Sequence, residues 1–231
     1  MKIKHGMILA AGLGKRMQPI TLKTPKPLIQ IGNKNLLERA IELLVNHGVE
    51  EIAINVHHLA DQIKDFINKK NYRVKITIFH EQDMLLDTGG GILNATKSFK
   101  EPFIVVNPDT IWSNVYSSEL SDLEDFYSQH KKACLLLVDK NLSFDTSFDG
   151  DFNLQDGIVS RDNNNELIFT GLQILDHNTF SSIKDKIFSM NKIWNNLIEK
   201  KSLIGAESNQ KFYHLNTKEM YDKILDLDIT D

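Results

Sequence analysis

Small residues and cations gather near the start of the chain in a pattern suited to holding phosphate. Leu9-Ala10-Ala11-Gly12-Leu13-Gly14-Lys15-Arg16-Met17-Gln18-Pro19-Ile20 is followed by Thr24-Pro25-Lys26-Pro27-Leu28. A glycine-rich loop leaving a strand exposes backbone N–H groups, which can form an anion nest at the carboxyl end of a sheet. Ala10, Ala11 and Gly12 let a ligand approach the main chain, while Lys15, Arg16 and Lys26 bring positive charge. That combination suits a polyphosphate. Neither familiar phosphate loop is present. The Walker pattern wants four residues between its first glycine and Gly-Lys and then Ser or Thr, but Arg16 follows Lys15. The dinucleotide fingerprint wants a third glycine where Met17 stands.

Two more segments carry chemistry. In Leu86-Asp87-Thr88-Gly89-Gly90-Gly91-Ile92, consecutive glycines ahead of a helical stretch, Ile92 to Lys97, allow a flat ligand close to the backbone. Val105-Val106-Asn107-Pro108-Asp109 is an apolar strand delivering an acid at its carboxyl end. Mg²⁺ takes hard oxygen ligands, normally one or two carboxylates plus phosphate oxygens, so Asp109 is the expected metal ligand. Pro108 has no N–H to offer a ligand.

The elements that position these residues follow from the apolar pattern. Strands are expected at Met7–Leu9, Ile52–Val56, Val74–Phe79, Phe103–Val106 and Cys134–Val138. Between them Leu36, Leu37, Ala40, Ile41, Leu44 and Val45 recur at helical spacing, as do Leu59, Ile63, Phe66 and Ile67, then Leu120, Leu123, Phe126 and Tyr127. Alternating strands and helices imply right-handed crossovers and an α/β, doubly wound, mostly parallel sheet. After Val138 the texture changes. Strands are expected at Leu167–Phe169 and Leu172–Leu175 on either side of Thr170-Gly171, and helical patches at Thr179–Ile183, Ile187–Ile198 and Lys218–Leu227. No linker separates the halves, so residues 1–231 read as a single domain, with a nucleotide-binding half (1–138) and a small β/α elaboration (139–231).

Composition narrows the function. Charged residues are 25% and the net charge is −4, which argues against a broadly basic nucleic-acid-binding face. The lone cysteine, Cys134, lies in an apolar run and reads as a core thiol. No apolar run approaches the roughly 18 residues that span a bilayer, and the N-terminal apolar stretch is too short for a signal segment. A soluble cytoplasmic protein is expected, as a monomer or small homo-oligomer.

The first loop together with Pro25-Lys26-Pro27-Leu28 resembles the signature of sugar-1-phosphate nucleotidyltransferases, which join a nucleoside triphosphate to a sugar phosphate and release pyrophosphate. The resemblance implies a Rossmann-like, GT-A-like fold and NTP and sugar 1-phosphate substrates. It implies nucleotide contacts from Leu9, Ala10, Ala11, Gly12, Gly14 and Lys15, from Gln82, Thr88 and Gly89, and from Asn107. Arg16, Lys26 and Asp109 would be catalytic, with Mg²⁺ (or Mn²⁺) on Asp109. Gly150, Asp151 and Thr170 fall where relatives line the sugar pocket. Asp87-Thr88-Gly89-Gly90-Gly91 is similar to the members that transfer uridylyl to N-acetylmuramate 1-phosphate in cell-wall recycling, and the length fits them. Guanylyl or cytidylyl transfer to another sugar or alcohol phosphate, such as mannose 1-phosphate, is the alternative enzyme; a nucleotide-sugar sensor is the non-catalytic one.

The main departure from the family is Phe212-Tyr213-His214-Leu215-Asn216-Thr217, which puts His214 on the family's second metal-binding acid and Asn216 on its glycine. Imidazole suits Mn²⁺ or Zn²⁺ better than Mg²⁺. His214 is therefore open to three roles: a metal ligand, a phosphate-binding or water-bridged group, or a structural histidine.

Overall fold

The computed structural model describes residues 2–227. In chain order its elements are β1 (His5–Ala10), β2 (Gln30–Ile31), β3 (Lys34–Asn35), α1 (Leu36–His47), β4 (Glu51–Val56), α2 (Ala60–Lys70) and β5 (Lys75–His80). Then come α3 (Asp87–Ala95), β6 (Phe103–Val106), α4 (Tyr116–His130), β7 (Cys134–Asp139), β8 (Asn153–Gln155) and β9 (Ile158–Ser160). The last are β10 (Leu167–Leu175), α5 (Met190–Glu199), β11 (Ile204–Ser208) and α6 (Lys218–Leu225).

Nine strands form one sheet in the order β5-β4-β1-β6-β10-β7-β11-β9-β8. β5, β4, β1 and β6 are mutually parallel, β10 runs antiparallel between β6 and β7, and β11 is parallel to β7. The sheet is thus mixed but mostly parallel, a Rossmann-like arrangement of the GT-A type.

Strand alternation divides the core between the two faces. Ile8, Ile54, Val106 and Leu136 face α1, α2 and α4, while Met7, Ala53, Val105 and Leu135 face the side of α3 and α5. Full burial of each large aliphatic chain is worth about 1.5–3 kcal/mol. α1 shows how the sequence sets its own boundaries. The Asn35 side chain accepts the Glu38 N–H at 2.8 Å at its start, and Gly48 takes the left-handed φ of 101° at its end. No helix among the described residues is long and apolar enough to cross a membrane.

The structure departs from the sequence expectation in four ways, three of them in the second half. Leu167–Phe169 and Leu172–Leu175 belong to one strand, β10, whose register shifts between Phe169 and Gln173. The kink is at Gly171, φ 92°, whose carbonyl accepts the Asn107 N–H at 2.8 Å and so ties the loop after β6 to β10. β8, β9 and β11 were not expected: they are short, and in β11 Gly205 and Ala206 weaken the apolar signal. Of the helical patches, the first is only a 3₁₀ turn at His177–Phe180, and the second starts at Met190, where Ser189 caps it. Finally, the glycines of residues 89–91 lie within α3 and not ahead of it.

Candidate active site

The loop after β1 turns at Gly14, φ 61°, whose carbonyl accepts the Met17 N–H at 2.8 Å and the Thr21 hydroxyl at 2.9 Å. Buried Met17 anchors this 3₁₀ turn, so Lys15 and Arg16 stand on its exposed side. Among the described residues neither has a carboxylate partner. Lys26 opens a further 3₁₀ turn behind the extended Pro25 and sends its ammonium to Asp109 Oδ2 at 2.7 Å.

Asp109 is fixed by its neighbours on both sides. The C-terminal segment pairs with its loop through an antiparallel bridge between Thr110 and His214. Ile111 donates to the Tyr213 carbonyl at 2.9 Å and Leu215 to the Asp109 carbonyl at 2.8 Å. This bridge carries His214 Nε2 to within 3.1 Å of Asp109 Oδ2. Burial pushes the Asp109 carboxyl up, but Lys26 and then His214 outweigh it and hold the group well below the usual carboxylate range.

Two lobes of one cleft meet at Asp109, sharing Leu9 and Gly12 as well. The first, about 280 Å³, is cationic, with Lys15, Arg16 and Lys26 on its wall. The second, about 420 Å³, is largely apolar and takes Ala11, Leu85, Thr88 and Asn107. Its floor is braced by a hydrogen-bonded chain that the sequence did not announce. Ala10 N–H donates to Asn55 Oδ1 at 2.9 Å, Asn55 Nδ2 donates to Glu81 Oε1 at 2.7 Å, and Leu86 N–H donates to Glu81 Oε2 at 2.9 Å.

The expected site residues divide accordingly. Leu9, Ala10, Ala11, Gly12, Gly14, Lys15, Arg16, Lys26, Thr88, Asn107 and Asp109 line the cleft. Gln82 does not: it is exposed, and buried Glu81 beside it faces the second lobe. Gly89 does not either, because its N–H and that of Gly90 donate to the Phe188 carbonyl at 2.9 and 3.0 Å. The glycines accommodate the chain itself, since a Cβ on Gly90 would lie 2.3 Å from the Lys186 carbonyl oxygen. Gly90→Ala is expected to lower stability by about 1–3 kcal/mol through this collision, measured by urea unfolding.

The three residues expected at the sugar are also elsewhere. Thr170 is buried, with its hydroxyl donating to the Leu136 carbonyl at 2.9 Å. Asp151 accepts the Phe169 N–H at 3.0 Å, and Gly150 packs its left-handed backbone on Asn165. They hold the start of β10 and line neither lobe. Trp112 is core, its indole N–H donating to the Asn107 carbonyl at 2.8 Å. Trp194 packs edge-on to Phe152 and Phe169. Two polar residues near the cationic lobe were missed as a pair. Asn216, which lines it, donates from Nδ2 to Asp145 Oδ2 at 2.8 Å. Burial raises the Asp145 carboxyl, but its bonds from Ser147 and Asn216 leave it below its ordinary value.

Among the described residues no cluster of three or more His, Cys, Asp or Glu is placed to hold a metal by itself. The donor set still fits a hard divalent ion held largely by substrate phosphate, because Asp109 Oδ1 has no hydrogen-bond partner among the described residues.

A mostly parallel sheet with a cation-lined loop at its carboxyl edge, facing a single carboxylate, defines a nucleotide-handling transferase of GT-A type. The chain belongs to the nucleotidyl transferase family, whose family model matches residues 5–142. It is 29% identical over 221 residues to the N-acetylmuramate alpha-1-phosphate uridylyltransferase of Caulobacter vibrioides, covering 92% of this chain and 91% of that one. It is 35% identical to the Neisseria meningitidis protein of the same name, over 77% of this chain and 78% of that one. The mannose-1-phosphate guanyltransferase of Saccharomyces cerevisiae is 35% identical over 54% of this chain, which spans 35% of the yeast protein. Among solved structures, HddC from Yersinia pseudotuberculosis complexed with GMP-PN superposes with a TM-score of 0.77 at 24% identity, covering 97% of this chain and 99% of that one.

Proposed function

We propose that the protein transfers a uridylyl group from UTP to N-acetylmuramate 1-phosphate, giving the nucleotide-sugar and pyrophosphate. The observation that carries this reading is the meeting of a cationic lobe and an apolar lobe at the Lys26–Asp109 pair. A nucleoside fits the larger, apolar lobe, and its β- and γ-phosphates lie against Lys15, Arg16 and the N–H groups of the first loop. Support for the particular substrates comes from the Caulobacter and Neisseria relatives, which match over most of both lengths.

In this reading an oxygen of the sugar phosphate forms a bond to the α-phosphorus as the α–β bridging bond breaks, and pyrophosphate leaves with the electron pair. A phosphate oxygen is already ionised at neutral pH, so no protein nucleophile or general base is required. Lys26 neutralises charge on the α-phosphate, Lys15 and Arg16 hold the leaving group, and the braced Asn55–Glu81 floor fixes the loop that presents them. A divalent ion, Mg²⁺ or Mn²⁺, held by Asp109 would supply further charge neutralisation between the two phosphates. Positioning and preorganised charge do the catalysis.

Guanylyl transfer has one observation in its favour: the Glu81 carboxylate in the apolar lobe offers only acceptors, and guanine presents adjacent N–H donors. Pyrophosphate release measured for UTP, GTP, CTP and dTTP against N-acetylmuramate, mannose and glucose 1-phosphates separates these. UTP with N-acetylmuramate 1-phosphate is expected to exceed every other pair at least tenfold in kcat/KM. A GTP preference would transfer the reading to guanylyl chemistry, and binding without turnover would make the protein a sensor.

A further inference from the structure

Two adjacent histidines, His57 and His58, follow β4, and neither lines the cleft. His57 Nδ1 lies 2.6 Å from the Glu81 carbonyl oxygen, and His58 Nε2 lies 2.6 Å from the Thr21 carbonyl oxygen. A carbonyl oxygen only accepts, so each of these ring nitrogens donates, whatever the charge on the ring. The two acceptors serve different lobes. Thr21 is buried, and its hydroxyl donates to the Gly14 carbonyl, which closes the turn carrying Lys15 and Arg16. Glu81 lines the apolar lobe and takes the Asn55 and Leu86 bonds on its carboxylate. Gln62, in the first turn of α2, adds a second tie on the cationic side, from Nε2 to the Lys23 carbonyl at 2.9 Å. Leu59 follows the histidines at φ 52°. That left-handed conformation is strained for a leucine and persists where the surrounding bonds over-determine it.

We infer that His57 and His58 are positioning residues that set the span between the two lobes, and that this span selects a nucleoside triphosphate over the monophosphate of the same nucleoside. His58 ties the end of β4 to the cationic turn, and His57 ties it to the apolar lobe. The separation between a nucleoside in one lobe and Lys15 and Arg16 in the other is thus fixed before any ligand arrives. Preorganisation lowers the ordering cost of binding, and only a ligand long enough to reach both lobes collects the whole of that saving. This rests on the function proposed above and deepens it. Phosphate-chain length becomes a property the site reads, through residues that touch no substrate.

Calorimetry of UTP and UMP on the full chain, with Mg²⁺ present throughout, tests the ties one at a time. A glutamine amide nitrogen can take the place of His58 Nε2, whereas an asparagine amide is too short to reach the Thr21 carbonyl. His58→Asn is expected to weaken UTP by about tenfold or more and UMP by less than about threefold, because only the phosphate end is released. His58→Gln is expected to keep both affinities within about threefold of wild type. His57→Leu, which frees the apolar lobe, is expected to weaken both nucleotides by the same factor, and His57→Asn, whose amide matches Nδ1, to restore them. Gln62→Ala removes the exposed tie on the cationic side and is expected to lower the UTP preference by about threefold, which reads the same effect should His58→Asn not fold. A folded His58→Asn protein, or failing that Gln62→Ala, with the wild-type ratio of UTP to UMP affinity would overturn the inference while leaving nucleotidyl transfer intact. Equal losses in His58→Asn and His58→Gln would overturn it as well, since ring packing and not the donated hydrogen would then be the cause. If GTP binds in place of UTP, the ratio of GTP to GMP reads the same ties and only the base assignment falls. Failure of every triphosphate to bind would remove the proposed function and this inference together.

Discussion

Asp109→Asn is expected to lower kcat/KM by about a hundred- to a thousandfold with the fold retained. The side chain keeps its shape and loses the charge that faces Lys26 and His214. Loss of one preorganised electrostatic group in a closed site costs about 2.7–4 kcal/mol of transition-state stabilisation. In the proposed reading the loss should fall on kcat more than on the KM for the triphosphate, because Lys15, Arg16 and Lys26 remain to hold it. Steady-state kinetics over a Mg²⁺ series check the point. If the variant turned over at near-normal rate with Mg²⁺, the assignment of Asp109 to the metal would be wrong.

Lys26→Met is the second large effect, and it reads out twice. Activity is expected to fall by a similar factor, this time with a raised KM for the triphosphate, since in the proposed reading the ammonium would contact substrate in both ground and transition states. Stability is affected too. The two side chains are 14% and 26% exposed, so the pair is mostly buried, and stranding the acid should cost about 1–3 kcal/mol, less than for a fully buried pair. The sign with pH follows from the depressed Asp109 carboxyl. A group held below its unfolded value contributes stability that is complete above the ordinary aspartate range near 4 and is lost as pH falls through the folded value. The gap between wild type and Lys26→Met in urea unfolding is therefore expected to be larger at pH 7 than at pH 3. The double variant with Asp109→Asn should be less damaged than the sum of the two, because the residues share one contact.

Much of the first half could be read from residue types alone. Apolar runs of strand length alternating with 3.6-residue periodicity place β1, β4, β5, β6 and β7 close to where they are found. The first loop was legible because charge, glycine and proline all point to one backbone conformation there. What could not be read depends on which side chain turns inward after a strand ends. Glu81 and Gln82 are adjacent and both polar, and only the Asn55 amide across the sheet decides that Glu81 faces the cleft. Thr170 and Asp151 were plausible sugar contacts as residue types. In the fold their bonds go to Leu136 and Phe169, because β10 continues through Thr170-Gly171. The consecutive glycines were misplaced for a related reason. Their role is set by a segment about a hundred residues later, Lys186 to Phe188, which no local pattern could anticipate.

That late segment also constrains how strongly the protein depends on its solvent. A helix beginning beside a ligand cleft would ordinarily lend its positive pole to an anion. In α3 the Gly89 and Gly90 amides are spent on the Phe188 carbonyl, so in the proposed reading attraction for a triphosphate falls to the first loop, whose Lys15 and Arg16 are exposed to water. Counter-ions screen such exposed charges over about 8 Å at physiological ionic strength. Capture of a triphosphate by that loop would therefore be tied to the salt around the molecule, whereas the positioning of Asp109 inside it is not.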